Sequence, residues 1–188
     1  MRRHKAWTLL FLLLLLAAAA AALRFGYLRL MKAAYPLGYS EIVTAEAKAD
    51  GLDPMLVYSV IRAESSFDPE AESHAGARGL MQLTPDTLEW LQKQRPSDMT
   101  YTGKDLFTPH VNIRYGCHFL ELLLKKYGDR RTALCAYNAG IGTVNSWLKN
   151  GEYSGDGRSL KKIPYPETRN YVTAVEQNIQ NYNNLYQS

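Results

Sequence analysis

Cysteine and histidine are scarce in this chain, at two and four of 188 residues. Cys117 and Cys135 form no C-x-x-C pair. His4, His74, His110 and His118 are scattered, without the H-E-x-x-H spacing that sets two ligands on one helical face. No metal site is expected, and the two cysteines read as small buried hydrophobes, with a disulfide left open for an oxidising compartment. A charge excess is also missing once the charges are located. The formal +4 is concentrated in the first 32 residues, where Arg2, Arg3, Lys5, Arg24, Arg29 and Lys32 meet no acidic residue. That leaves 16 basic against 18 acidic residues in 33–188, a net of −2. This balance argues against a nucleic-acid partner. With 13 Gly, 8 Pro and 46% hydrophobic residues, the composition is that of a globular chain long enough for one domain and its core.

A single long hydrophobic run is present. Ala6 to Leu23 is uncharged over 18 residues and holds five consecutive leucines followed by six alanines. As a helix it reaches ~27 Å, just short of the ~30 Å hydrocarbon core of a bilayer. The basic Met1–Lys5 flank suits both a secretory signal and the cytoplasmic end of an anchor. The alanines offer small residues for cleavage, whereas the run exceeds the ~7–15 apolar residues of an ordinary signal core. The expectation is a single-pass membrane anchor with the rest of the chain on the extracytoplasmic side, and secretion after cleavage is the alternative.

From residue 40 onward, helical periodicity is punctuated by Gly and Pro, and no alternating strand pattern appears. Ser40 reads as an N-cap for a helix ended by Gly51. Asp53-Pro54 and Thr84-Pro85 each write a cap followed by Pro at the first helical position. Ile113, Gly116, Cys117, Leu120 and Leu124 mark one face of a helix over 112–127. Tyr171, Val172, Val175, Ile179 and Tyr182 mark another over 167–186. Residues 151–159 read as a polar loop. The pattern predicts a compact all-α domain.

On the helix opened by Pro54, the apolar stripe Val57, Val60, Ile61 continues onto Glu64. A carboxylate on such a stripe is unusual, because burying its charge is costly. Asp68 precedes Pro69, which disfavours helix there and puts Glu64 in the last turn, against the negative end of the dipole. Desolvation and dipole both favour the protonated acid that general-acid chemistry needs. The alternatives are a frayed end with Glu64 in water, or pairing with Arg62 or Arg78.

Further motifs follow: Gly79-Leu-Met-Gln82, Ala136-Tyr-Asn-Ala-Gly140 and Glu167-Thr-Arg-Asn-Tyr171. With Glu64-Ser65 they stand in the order and spacing of the soluble lytic transglycosylase catalytic domain, a family related in fold to goose-type lysozyme. The chain resembles that family over about residues 38–186. The resemblance implies a lysozyme-like helical domain with a catalytic cleft over 39–188, a short linker at 33–38 and a signal-anchor segment at 1–32. It further implies cleavage of the MurNAc–GlcNAc β-1,4 bond of peptidoglycan with formation of 1,6-anhydro-MurNAc ends, and no cofactor. By position, Glu64 resembles the sole catalytic acid and base. Ser73, Met81, Gln82, Tyr137 and Asn138 resemble sugar-side contacts, while Glu167 and Tyr171 belong to a motif that faces the peptide stem. Leu83-Thr84 stands where several relatives carry a second methionine. A lysozyme-like hydrolase and a non-catalytic glycan-binding module are the competing expectations.

Overall fold

A computed structural model describes residues 2–95 and 99–187; the side chains at 2–6, 8 and 9, which include the basic Arg2, Arg3, His4 and Lys5, lie outside that description. Eight α-helices are present among the described residues. They are α1 (Arg2–Ala34), α2 (Ser40–Ala49), α3 (Pro54–Ser65), α4 (Pro85–Gln94), α5 (Pro109–Tyr127), α6 (Arg130–Ala139), α7 (Ile141–Leu148) and α8 (Pro166–Tyr186). The extended pairing among those residues amounts to the isolated bridges Glu72–Arg78 and Arg78–Leu83. The all-α expectation holds.

The written caps act as read at two of three starts. Asp53 Oδ1 accepts from the Met55 N–H at 2.9 Å, and Thr84 Oγ1 from the Thr87 N–H at 3.2 Å, each with Pro next in line. At α2 the expectation fails. Ser40 is the first helical residue, and Tyr39, in the left-handed region at φ 57°, is the cap. Just before it, Gly38 lies against the Phe67 ring, where an added Cβ would come within 2.9 Å. The helix expected from Asn112 starts at Pro109, since Pro fits the first turn and Asn112 is recruited inward.

α5 is the central helix, packed against α2, α4 and α6, and α8 runs along α3 and α6. Its Ile113, Cys117 and Leu120 are fully buried, as are Val57, Val60 and Ile61 of α3. On α8 the stripe Tyr171, Val172, Val175, Ile179, Tyr182 faces the core. Cys117 and Cys135 are both free and buried, and burial pushes the Cys135 thiol up to about 12.

α1 extends the apolar run into one continuous helix of 33 residues. Its stretch Leu10–Ala34, with mean hydropathy 2.0, is long and apolar enough to cross a membrane and is not buried against the domain. The chain is gripped where it leaves this helix. The Tyr186 hydroxyl donates to the Tyr35 carbonyl (2.8 Å), the Tyr182 hydroxyl to the Pro36 carbonyl (3.0 Å) and Asn181 Nδ2 to the Tyr35 hydroxyl (2.6 Å). The Arg62 guanidinium covers the Tyr35 ring at 4.1 Å.

Candidate active site

Helix α3 delivers Glu64 to a cleft and stops. Ser66 and Phe67 follow in left-handed conformations (φ 52° and 69°), a costly pair of non-glycine positions. Ser65 Oγ, which also bonds the Ile61 carbonyl, donates to the Leu80 carbonyl at 2.8 Å and thereby ties the helix end to the next segment. Glu64 keeps one face toward the cleft and is otherwise enclosed by protein. That enclosure pushes its carboxyl up to about 7, with the nearby Tyr171 hydroxyl drawing it partly back. Neither arginine considered as a partner reaches it: Arg62 lies over Tyr35, and Arg78 pairs with Glu72 at 2.8 Å.

The segment 71–84 forms the adjoining wall, held by hydrogen bonds rather than by regular structure. Ser73 Oγ accepts from the Ala77 N–H (3.1 Å), and the Ser73 N–H donates to the Ala77 carbonyl (2.9 Å), closing a tight turn. Gln82, left-handed at φ 49°, donates through Nε2 to the carbonyls of Ala71 and Gly79. Beneath this wall is Asn112, fully buried. Its Oδ1 accepts from the Met81 N–H at 2.7 Å, and its Nδ2 donates to the carbonyls of Arg78 and Leu106, each at 2.8 Å. Gly79 admits this close approach, since a Cβ there would lie 2.1 Å from the Leu106 carbonyl oxygen and 2.4 Å from Asn112 Nδ2. Asn112 is a positioning residue whose sequence context marks only the start of a helix.

Opposite stand α5, α6 and the first turn of α8. Phe119 and Tyr137 pack with ring centroids 5.0 Å apart, and the buried Tyr137 hydroxyl donates to the Met81 carbonyl at 2.8 Å. Asn138 lines the cleft beside them, and exposed Glu167 closes the rim. The cleft holds about 280 Å³. Larger, shallower space of about 680 Å³ lies by α7 and the 151–157 loop, but no carboxyl lines it.

Six of the eight residues singled out from sequence therefore line one cleft: Glu64, Ser73, Gln82, Tyr137, Asn138 and Glu167. Two do not. Met81 is fully buried, its thioether seated over Gly116, where a Cβ would come within 2.3 Å of the sulfur. It contributes its backbone to the wall and its side chain to the core. Tyr171 is also buried, behind Glu64 and off the cleft wall. Its hydroxyl has no hydrogen bond of regular geometry, yet it faces the carboxyl closely enough to favour the ionised form. Leu83 and Thr84, at the position of the missing second methionine, line the cleft themselves.

A helical domain carrying one enclosed carboxyl at the base of a polar and aromatic cleft has the layout of an acid–base active site. Residues 41–159 match the family described as the Transglycosylase SLT domain, and the chain belongs to that family. It is 33% identical to the soluble lytic murein transglycosylase of Salmonella typhimurium, over 77% of this chain and 23% of that protein. It is 36% identical to a putative soluble lytic murein transglycosylase of Haemophilus influenzae, over 81% of this chain and 25% of that protein. An inactive mutant of the lytic transglycosylase Slt from Pseudomonas aeruginosa superposes with a TM-score of 0.70 at 33% identity, covering 80% of this chain and 24% of that one. The chain thus spans about a quarter of the length of these relatives.

Proposed function

We propose that the protein is a peptidoglycan lytic transglycosylase that cleaves the MurNAc–GlcNAc β-1,4 bond and leaves a 1,6-anhydro-MurNAc end. The observation that carries this reading is Glu64, a carboxyl raised to about 7 in a cleft lined by the family's motif residues. Protonated Glu64 donates to the glycosidic oxygen as the C1–O bond breaks. The resulting carboxylate then takes the proton of the C6 hydroxyl as O6 bonds to C1. The acid is regenerated and no water is consumed. One carboxyl suffices, whereas ordinary glycosidases use a pair at defined separations. Of the neighbouring acids, Asp68 caps its own turn by accepting from the Glu70 N–H (2.9 Å), and Glu72 is paired with Arg78. Ser73, Gln82 and Asn138 supply polar contacts to the sugars, and Glu167 at the exposed rim suits the peptide stem. Tyr171 supports Glu64 from behind once it becomes the base.

Glu64→Gln keeps shape and hydrogen-bonding capacity but loses the transferable proton. Turnover of purified sacculi is expected to fall by at least ~10²–10⁴-fold with glycan binding and fold retained, whereas Glu167→Gln loses far less. A Glu64→Gln protein of verified composition that turns over normally rejects the assignment. The presence of Glu167 as a second cleft carboxyl favours one rival, a lysozyme-like hydrolase, and the two reactions differ in the end group they leave. The unburied apolar helix α1 supports a single-pass anchor with the domain on the extracytoplasmic side, secretion after cleavage being the alternative.

A further inference from the structure

A second depression of about 420 Å³ lies on the far side of Phe119 from the cleft, framed by Trp90 and Gln94 of α4, Leu122 and Leu123 of α5 and Ile141 of α7. Three walls of the cleft lead into it. On α4, Thr87 lines the cleft and Trp90 comes three residues later, one turn along the same face. On α5, Phe119 lines the cleft, and Leu122 and Leu123 follow one turn on. At the α6–α7 corner, Asn138 lines the cleft and Ile141 lies three residues beyond. The Phe119 ring stands between the two spaces, edge-to-face with Trp90 at 6.1 Å and tilted against Tyr137 at 5.0 Å. Trp90 is 39% exposed; outside α1, it shares that condition among the described large hydrophobics with Met99 and Tyr165.

We propose that this groove is an additional subsite for the glycan strand, with Trp90 as the platform for a sugar ring beyond those at Glu64. The inference rests on the glycan-cleaving reading of the cleft. A pyranose ring offers an apolar C–H face and a rim of hydroxyl and acyl oxygens. The groove answers both: Trp90, Leu122 and Ile141 form the apolar bed, while the Gln94 amide and the Lys126 ammonium stand at its edge as donors. The advance of one helical turn, ~5.4 Å, is on the scale of one sugar ring. The three elements shared with the cleft, and the Phe119–Trp90 contact between the two spaces, select the same strand as occupant over an unrelated protein.

The test compares wild type, Trp90→Ala and Trp90→Phe, at equal thermal stability, on long uncrosslinked glycan strands and on tetrasaccharide-length fragments. Trp90→Ala is expected to raise KM about three- to tenfold on long strands, with kcat and the short-fragment KM unchanged, and Trp90→Phe recovers most of the loss. An unchanged ratio of long- to short-strand KM, or an equal loss on both, overturns the subsite and leaves the transglycosylase reading standing. A wild type that cleaves neither substrate overturns both.

Discussion

The proposed mechanism turns on one ionisation, that of Glu64. Its carboxyl is enclosed by protein, which disfavours the anion, and the neighbouring Tyr171 hydroxyl only partly offsets this. The free protein therefore holds this carboxyl protonated up to about pH 7, and on the proposed mechanism cleavage declines as pH rises through that value. Stability must move in the same direction. Below about 4.5, the ordinary value, folded and unfolded chains are both protonated and the group contributes nothing. Between there and about 7 the unfolded chain ionises first, so the fold loses stability as pH rises, by up to about 3 kcal/mol. Glu64→Gln is thus expected to match wild type in denaturant unfolding at pH 4 and to exceed it by ~1–3 kcal/mol at pH 8. Carbon-13 titration of the Glu64 carboxyl checks the premise, and a value at or below ~4.3 contradicts it.

Among the elements, the segment 71–84 depends most on a partner distant in sequence. Asn112 of α5, itself fully buried, satisfies the Met81 N–H and the Arg78 carbonyl of this segment together with the Leu106 carbonyl. Asn112→Ala strands those groups and is expected to cost ~2–4 kcal/mol in urea unfolding. Asn112→Asp keeps the acceptor for the Met81 N–H but loses both donations, so it does not rescue. This contact shows where sequence reading stops. The cap at Asp53, the stop after Glu64 and the stripe on α8 are local patterns, legible because helical period and turn chemistry involve neighbours only. The inward use of Asn112 and the burial of Met81 over Gly116 depend on tertiary approach, which the period does not encode. Tyr171 illustrates the intermediate case. Its stripe places it on the buried face, where the structure has it, while the motif implies a place at the substrate. Trp90 carried no signal in its local sequence, since an exposed aromatic on an amphipathic helix becomes notable only beside Phe119.

At the scale of the whole molecule, the basic excess lies within α1 on either side of its apolar run while the domain is slightly acidic, and the grip of Tyr182 and Tyr186 on residues 35 and 36 joins the two. If α1 is retained in the mature protein, cell fractionation will find the chain in the membrane, released by detergent and not by high salt. A soluble mature form with an N-terminus near Leu23 would refute the anchor and leave export intact. On the proposed reading the domain beyond it acts on a polymer far larger than itself, and the ends left on that polymer are the most direct report on the reaction. Mass spectrometry of muropeptides released from purified sacculi by the wild-type protein is expected to show 1,6-anhydro-MurNAc ends, each lacking the mass of one water relative to a reducing end. Release of reducing MurNAc ends instead would contradict intramolecular attack by O6 and make the protein a hydrolase on the same fold.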